Sequence, residues 1–251
     1  MIHVRDLSVG TRLLPLSFDC AQGELIHVVG PNGSGKSTLL TALAGMIPYR
    51  GNIQLGETDL THLSLPALAQ LRAYLSQHER PAFSIDVYQY LALSIPSVLP
   101  VTQEKSSVVI QELVQRLNLQ DKLHRSIHQI SGGEWQRVRL AGSCLQIWPT
   151  LNPHARLMIL DEPAAALDVG QEYMLYELLQ DVNSMGITVI MANHDLNRTL
   201  RYADKTLLLN QGILQQWGDT RSVLAPEHVA DVFRTQVQSV EIQGKSYLLF
   251  D

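Results

Sequence analysis

Apolar residues along the chain follow two periodicities. Apolar residues that alternate with polar ones, or short apolar runs bounded by turn residues, predict β-strands, and apolar residues three and four positions apart predict helices. The predicted strands are 2–9, 13–18, 25–29, 51–55, 73–76, 157–160, 187–192, 205–210 and 213–217. The predicted helices are 39–44, 86–93, 102–117 and 169–185, with others that begin after Ser64, Ser131 and Pro226, and a last hairpin turns at Gly244.

The order of these elements predicts an α/β fold with a helical insertion. Strands and helices alternate in the first and last thirds of the chain, whereas residues 78–130 contain no convincing strand. We therefore predict a single domain over 1–251, in which 1–77 and 152–225 form the α/β core and 78–151 form a helical subdomain. Residues 226–251 form a short C-terminal extension whose role the pattern does not state.

Composition narrows the class of protein. The 251 residues are 45% hydrophobic with a net charge of -5, which is typical of a globular chain and predicts no nucleic-acid partner. No apolar run approaches the roughly 18 residues of a membrane span, and the start of the chain has no secretion signal. Cys20 and Cys144 are far apart and match neither a metal spacing nor a disulfide framework. We expect buried thiols in a reducing, cytosolic setting.

The segment between strand 25–29 and helix 39–44 has the composition of a phosphate-binding loop. It consists of Gly30, Pro31, Asn32, Gly33, Ser34, Gly35, Lys36, Ser37 and Thr38. Its glycines let backbone N–H groups approach phosphate oxygens, and the following helix adds its unpaired N-terminal donors. In that arrangement Lys36 lies against the β- and γ-phosphates and the Ser37 hydroxyl is a ligand for Mg²⁺. The loop therefore predicts nucleotide binding.

Two carboxylates follow the apolar strand 157–160. Asp161 is placed to hold Mg²⁺, and Glu162 is placed to orient or deprotonate an attacking water. Taken alone, an acidic pair at the end of a strand is more often a turn or a helix cap. The phosphate loop earlier in the chain favours the catalytic interpretation.

A second Gly-rich segment, formed by Ser131, Gly132, Gly133 and Glu134, precedes another helix. Its structural interpretation is a capping box, in which Ser131 caps the helix and Glu134 bonds back to it. Its functional interpretation is an anion site at a helix N-terminus, and the two are compatible. A single nucleotide does not need two such sites from one chain. This segment is therefore expected to contact a nucleotide that is bound by a partner copy.

Taken together, these segments resemble the ATPases of ABC transporters. The resemblance rests on GPNGSGKST, Gln77 after a strand, ISGGEWQRVRLA, LMILDEP, AALD ending at Asp168, and His194 after a strand, in the family's order and spacing. It covers essentially the whole chain. It implies a P-loop NTPase core of the RecA-like type, with an antiparallel β subdomain and an inserted helical subdomain. A lone histidine after a strand is usually structural, so the role of His194 comes from the resemblance alone.

The resemblance implies a head-to-tail dimer in which two ATPs lie between the phosphate loop of one copy and the Ser131–Glu134 segment of the other. The implied catalytic residues are Glu162 as the base, His194 on the γ-phosphate, and Lys36. The implied Mg²⁺ ligands are Ser37, Gln77 and Asp161, and Gln77 also connects the metal site to the helical subdomain. Asp168 lies at the dimer seam.

Two features depart from the family pattern. Many relatives have Gln where this chain has Glu134, so the contact with the partner's nucleotide differs in charge. Many relatives also carry an aromatic residue in the first hairpin that stacks on adenine, whereas residues 7–16 contain none.

The implied partners lie in a membrane. Within the family, ISGGEWQRVRLAGSCLQI, AALDVGQ and NHDLNRTLRYAD resemble the ATPases of cobalamin importers, and those of iron-siderophore or haem importers are an alternative. This implies a peripheral protein on the cytoplasmic face of the bacterial inner membrane, with polytopic permease subunits docked near residues 77–86. A periplasmic binding protein is then an indirect partner. An alternative of another class is a soluble ABC ATPase of iron-sulfur cluster assembly.

Overall fold

The computed structural model describes residues 1–77, 80–97 and 99–251. The predicted first residue of the helical subdomain, His78, lies outside the described residues, as do Glu79 and Val98. In the described part of the chain, no helix combines the length and the apolar character needed to cross a membrane.

Twelve strands and nine α-helices are described, with a 3-10 turn at Gln120–Lys122. The strands are β1 Ile2–Val9, β2 Leu13–Cys20, β3 Leu25–Val29, β4 Arg50–Leu55, β5 Thr58–Asp59, β6 Arg72–Leu75, β7 Leu157–Asp161, β8 Thr188–Ala192, β9 Lys205–Asn210, β10 Ile213–Asp219, β11 Val237–Ile242 and β12 Lys245–Phe250. The helices are α1 Lys36–Leu43, α2 Leu65–Leu71, α3 Val87–Leu93, α4 Gln103–Arg116, α5 Gly132–Ile147, α6 Val169–Ser184, α7 Leu196–Tyr202, α8 Thr220–Val223 and α9 Pro226–Phe233.

A six-stranded sheet forms the centre of the molecule, in the order β10-β9-β3-β8-β7-β6. All neighbouring pairs are parallel except the hairpin of β9 and β10. Every residue of β3, β7 and β8 is buried, because helices or a second sheet cover both faces. The apolar runs in the sequence therefore correspond to the central strands of a doubly covered sheet.

The two faces of this sheet pack against different partners. Leu157 and Ile159 point to one side, where they join a core with α1 and the antiparallel sheet β2-β1-β4-β5. Met158 and Leu160 point to the other side and join a core with α3, α4, α5 and α6. This alternation follows from the two-residue period of a strand. As a result, α1 packs on one face of the six-stranded sheet, and α3, α4, α5 and α6 pack on the other face.

The region between β6 and β7 is helical, as predicted. Among its described residues, the only β pairing is an isolated bridge between Asp86 and Ser126. Asp86 caps α3 and Thr102 caps α4, each by accepting a hydrogen bond from a backbone N–H three residues on. Cys144, in the middle of α5, is fully buried, as is Cys20, so both thiols are structural as predicted.

Most predicted elements are present with ends shifted by one or two residues, and three short elements were missed. The turn at Gln211 and Gly212 has positive φ at both residues, 50° and 77°, which fits the tight hairpin predicted there. The missed elements are β5, α7 and α8, of two, seven and four residues. Such short segments carry too few residues to establish a period.

Candidate active site

Four parallel strands end side by side and deliver the predicted site residues to one edge of the sheet. β3 leads into the phosphate loop, β8 into Asn193 and His194, β7 ends at Asp161, and β6 leads to Gln77. The crevice outside the carboxyl ends of parallel strands is the usual ligand site of such sheets. The sequence positions, which are up to 164 residues apart between Gly30 and His194, are therefore brought together by the topology.

The path of the phosphate loop depends on glycines with positive φ. Gly30 has φ 151°, and an added Cβ would lie 2.1 Å from the carbonyl oxygen of Leu209. Gly35 has φ 105° and is the N-cap residue of α1, where no side chain makes a capping hydrogen bond. Both positions have a positive φ that favours glycine, and Gly30 also lies too close to the Leu209 backbone for a side chain.

Lys36, the first residue of α1, folds back over the loop that precedes it. Its ammonium donates hydrogen bonds to the carbonyl oxygens of Gly30 at 2.8 Å and Pro31 at 3.1 Å. Burial lowers the pKa of Lys36, whereas the nearby carboxylates of Glu162 and Asp161 raise it. The cation is therefore held by the loop's own carbonyls within reach of the two carboxylates.

Ser37 and Asp161 form an oxygen-rich pair at the base of the cleft. The Ser37 hydroxyl donates a hydrogen bond of 3.1 Å to Asp161 Oδ1. Asp161 is only 3% exposed, and this burial raises its pKa, while the bond from Ser37 lowers it. Hard oxygen donors of this kind fit Mg²⁺.

Gln77 and His194 hold Glu162 from two sides. The Gln77 amide donates a hydrogen bond of 2.6 Å to Glu162 Oε2, and His194 Nε2 contacts Glu162 Oε1. Glu162 has φ 51°, a left-handed conformation that is unusual for a residue with a side chain. Such strain persists only where the surroundings fix the residue, and it is concentrated at functional sites.

These groups line one open cleft of about 810 Å³. Its lining is Thr11, Arg12, Asn32, Gly33, Ser34, Gly35, Lys36, Ser37, Thr38, Gln77, Glu162, His194 and Gln211. Gly30, Pro31 and Asp161 lie one hydrogen bond away from it, through Lys36 and Ser37. The structure thus brings the predicted loop, acidic pair, Gln77 and His194 into one site.

Sequence analysis missed Thr11, Arg12 and Gln211. They come from two hairpin turns that are fixed to the phosphate loop by backbone hydrogen bonds, from Leu14 N to Gly212 O at 2.8 Å and from Gly212 N to Ser34 O at 2.9 Å. No local pattern marks these turns as site residues, because their position depends on contacts between distant segments. Among the described residues that line the cleft there is no Phe, Trp or Tyr, in agreement with the absence of these residues from 7–16.

The Ser131–Glu134 segment lies outside this cleft. Ser131 Oγ accepts from Glu134 N at 3.2 Å and Glu134 Oε2 accepts from Ser131 N at 2.7 Å, so the predicted capping box is present. The Ser131 N–H and then the Lys122 ammonium, 2.9 Å from Glu134 Oε1, lower the pKa of Glu134 to about 2. Gly132 lines a neighbouring cavity of about 380 Å³ that also contains Gln77 and Glu162.

The neighbours of this segment explain two further residues. An added Cβ at Gly133 would lie 2.9 Å from the Ala166 carbonyl oxygen, so the close approach of α5 to the chain after Glu162 needs a glycine there. Asp168, the predicted seam residue, caps α6 by accepting from Gln171 N at 2.9 Å.

The phosphate loop follows β3 and leads into α1, an acidic pair stands at the end of β7, and the second carboxylate of that pair is held from two sides. These features define a nucleotide-binding ATPase core. A family model described as "ABC transporter" matches residues 13–165, which is more than half of the chain. The chain belongs to the ABC transporter family and is one of its ATP-hydrolysing subunits.

Relatives and solved structures agree with this assignment over the full length. The chain is 58% identical to the vitamin B12 import ATP-binding protein BtuD of Vibrio atlanticus (strain LGP32), over 251 residues and 100% of both chains. It is 55% identical to the protein of that name from Vibrio cholerae serotype O1 (strain ATCC 39541 / Classical Ogawa 395 / O395), again over 100% of both. A solved inward-facing structure of a metal-chelate type ABC transporter aligns with a TM-score of 0.79 at 25% identity, covering 100% of this chain and 96% of that one.

Proposed function

We propose that this chain hydrolyses ATP to drive the import of cobalamin through partner subunits in the bacterial inner membrane. The observation that carries the proposal is the full-length identity of 58% and 55% to two proteins named for vitamin B12 import. The assembled cleft, with its phosphate loop and its held carboxylate, supports the ATPase part independently. The substrate part of the proposal rests on the names of these relatives.

The phosphate loop and Lys36 bind the triphosphate in this proposal. Backbone N–H groups of the loop and of the start of α1 point toward phosphate oxygens, and the helix dipole favours their charge. Lys36 exchanges its bonds to the Gly30 and Pro31 carbonyls for bonds to the β- and γ-phosphates. Gly30, Pro31, Asn32, Gly33, Ser34, Gly35, Ser37 and Thr38 complete this part of the site.

Ser37, Asp161 and Gln77 would hold Mg²⁺. In the described part of the chain, His, Cys, Asp and Glu side chains form no cluster of three or more that could hold a metal. This fits Mg²⁺ on a nucleotide, because that ion takes few protein ligands and keeps waters and phosphate oxygens. When bound, the ion neutralises charge that develops on the phosphate oxygens. The Ser37–Asp161 contact of 3.1 Å shows that two of the proposed oxygen donors are adjacent.

Glu162 is the proposed general base. Its carboxylate accepts a proton from water as the water oxygen bonds to the γ-phosphorus, and the bond from that phosphorus to the bridging oxygen of ADP breaks. Gln77 and His194 orient the carboxylate at the cleft, and in this proposal His194, which also lines the cleft, contacts the γ-phosphate. These contacts match the arrangement of an oriented base, with each supporting residue at the end of its own strand.

The proposed active unit is a head-to-tail pair of chains. The N-terminus of α5 lies outside the phosphate cleft of its own chain. It consists of Ser131, Gly132, Gly133 and Glu134, and it is available to a nucleotide bound by a second copy. A contact of this type closes with two-fold symmetry because each copy presents both halves. Asp168, at the start of α6, is placed near this seam in the proposal.

The base end of the nucleotide is proposed to lie against the two hairpin turns. Arg12 is the only charged residue that these turns contribute to the cleft lining, and Thr11 and Gln211 are its polar neighbours. A planar guanidinium can stack on a nucleobase, so Arg12 can replace the aromatic residue that is absent from 7–16.

The remaining parts of the proposal concern organisation and partners. Residues 1–77 and 152–225 form the nucleotide-binding core, 78–151 form the helical subdomain, and 226–251 form an extension. Polytopic permease subunits dock on the helical subdomain near Gln77 and Asp86, at the cytoplasmic face of the inner membrane. A periplasmic binding protein delivers cobalamin to them.

Isolation from native membranes in mild detergent tests this assignment. The proposal expects stoichiometric recovery of a polytopic permease and an increase in ATP turnover when cobalamin-loaded binding protein is added. Recovery with a permease that responds to an iron-siderophore or haem instead would contradict the substrate. Recovery of a soluble iron-sulfur scaffold, without a permease, would contradict transport.

A further inference from the structure

Several polar side chains of helix α5 are buried, and two of them lie beside the site although the proposed mechanism does not use them. Gln136 and Arg139 are 8% and 5% exposed, and their spacing of three residues places them on the same face of the helix. A buried charge or amide is costly unless it is hydrogen-bonded. The hydrogen-bond partners of Gln136 and Arg139 therefore indicate the role of the two residues.

Arg139 binds the backbone at the end of β6. Its guanidinium donates to the Ser76 carbonyl oxygen and, at 3.2 Å, to the Ser76 hydroxyl. It also donates to the Gln77 carbonyl oxygen at 3.3 Å. A guanidinium holds several donors in one rigid plane, so these bonds fix two consecutive carbonyl groups. The residue that they fix, Gln77, is the one whose side chain holds Glu162.

Gln136 extends the same network to the other side of Glu162. Its amide nitrogen donates to the Pro163 carbonyl oxygen at 2.9 Å, and its amide oxygen accepts from Arg139 at 3.2 Å. Pro163 directly follows Glu162, which has a strained backbone. The hydrogen bonds thus form a closed circuit from Glu162 through Gln77, Arg139 and Gln136 to Pro163.

We propose that Arg139 and Gln136 are positioning residues that fix Glu162 and Gln77 to α5. The inference rests on the proposed function, in which the first turn of α5 contacts the partner's nucleotide and Glu162 activates water in its own cleft. Because one helix carries both the Ser131 cap and these two side chains, contact at its N-terminus and placement of the base are coupled. The phosphate loop and Lys36, which bind the triphosphate in the proposal, are outside this circuit, so nucleotide affinity should depend on it much less than turnover does.

Substitution of Arg139 by Lys in the assembled complex is the first test. An ammonium keeps the charge, but its three donors on one nitrogen cannot satisfy the four acceptors that the two terminal nitrogens of the guanidinium bond. The matched control is Arg137→Lys, because Arg137 is on the same helix, is 8% exposed, and donates to the carbonyls of Leu117 at 2.6 Å and Asn118 at 3.2 Å.

The expected result is a fall in kcat of roughly tenfold or more for Arg139→Lys, since a small displacement of a catalytic group has a large effect on rate. KM for ATP should stay within about threefold, because ground-state binding is retained. Arg137→Lys should lower the unfolding temperature by a similar amount and leave kcat within about twofold. Equal losses of kcat in the two variants, or a wild-type kcat in Arg139→Lys, would overturn the proposal.

A double-mutant cycle tests the route through Gln77. If Arg139 acts by placing Gln77, Arg139→Lys has little further effect on kcat in a Gln77→Ala background, whereas Arg137→Lys behaves the same in both backgrounds. Additive losses from Arg139→Lys and Gln77→Ala would contradict this route. Gln136→Met, a substitution of similar volume, should also lower kcat and provides the same test if Arg139→Lys does not fold.

The failure of this inference can be told apart from failure of the proposed function. Glu162→Gln is measured in the same assay. If that variant is inactive while Arg139→Lys and Gln136→Met turn over normally, only the positioning role is wrong. If Glu162→Gln itself turns over normally, the assignment of the base is wrong.

Discussion

Glu162 combines a strained backbone with contacts on both carboxylate oxygens. Gln77 and His194 reach it from the ends of two other strands, so three strands determine where one carboxylate lies. This arrangement fixes both carboxylate oxygens of Glu162, which is what the proposed role of a general base requires.

Glu162→Gln should keep ATP binding and reduce steady-state hydrolysis by roughly 100-fold or more, because an amide cannot accept the proton of water. Nucleotide affinity and turnover of the purified protein are measured in parallel. The control is Glu177→Gln, which removes an exposed carboxylate from α6 away from the cleft. Turnover at the wild-type rate in Glu162→Gln would refute the role of the base.

Sequence alone predicted the site residues that directly follow the parallel strands. It missed the residues that lie in the hairpin turns and the buried residues of α5. The glycines of the phosphate loop and the two carboxylates at the end of β7 stand in short local patterns that the chemistry requires. Arg12 and Gln211 lie in hairpin turns whose approach to the loop depends on the contact between Leu14 and Gly212. Arg139 sits within an ordinary helical pattern, and only the packing of α5 against β6 shows its partners.

At the scale of one element, the first turn of α5 is a capped helix end that includes a carboxylate. Glu134 accepts a hydrogen bond from the Ser131 N–H and forms an ion pair with the Lys122 ammonium. The carboxylate therefore stabilises the turn that is proposed to meet the partner's nucleotide. Its negative charge is already satisfied by its own neighbours, which reduces its repulsion of phosphate.

The depressed pKa of Glu134 predicts a pH-dependent contribution to stability. A carboxyl with a pKa of about 2 in the folded state and 4.5 otherwise stabilises the fold fully above pH 4.5, and this contribution is lost as the pH falls toward 2. At neutral pH Glu134→Gln should cost on the order of 1 kcal/mol in the free energy of unfolding. Urea unfolding at a series of pH values measures this difference. A difference that does not shrink below pH 4.5 contradicts the assignment.

Ser131→Arg should prevent ATP-dependent dimerisation without weakening the binding of nucleotide to the monomer. Arginine is too large for a helix end that must approach a second copy, whereas the phosphate cleft does not contain residue 131. Sedimentation with ATP in a Glu162→Gln background measures the dimer.

The matched control for that variant is Ser64→Arg. Ser64 caps α2 by accepting from Ala67 N at 3.4 Å, so both variants lose a cap worth about 1 kcal/mol. Only Ser131→Arg should lose the dimer. Equal dimerisation of the two variants would exclude the Ser131 segment from the interface.

At the scale of the whole molecule, the C-terminal extension packs against β3 and α7, the elements next to the phosphate loop and His194. Val29, at the end of β3, and Leu196, at the start of α7, share a small core with Leu248 of β12. Asn197 of α7 makes two hydrogen bonds with the Leu248 backbone, at 3.0 and 2.7 Å. The extension therefore supports both the strand before the phosphate loop and the helix after His194, a role that the sequence pattern did not reveal.

Leu248→Ala should lower the free energy of unfolding by about 2–5 kcal/mol, because it removes a buried side chain from this core. Leu249→Ala is the matched control, since Leu249 is adjacent on β12 but 53% exposed, and it should cost no more than about 0.5 kcal/mol. Chemical denaturation of both variants gives the comparison. Equal effects would mean that the extension does not pack as described.

Cobalamin uptake by proteoliposomes tests the central claim most directly. The vesicles contain the chain with its co-purified permease, and they are supplied with ATP, Mg²⁺ and cobalamin-loaded binding protein. The account predicts ATP-dependent accumulation of cobalamin with the wild-type chain and none with Glu162→Gln. Accumulation of an iron-siderophore or haem in place of cobalamin, or equal cobalamin uptake with the wild-type and Glu162→Gln chains, would contradict it.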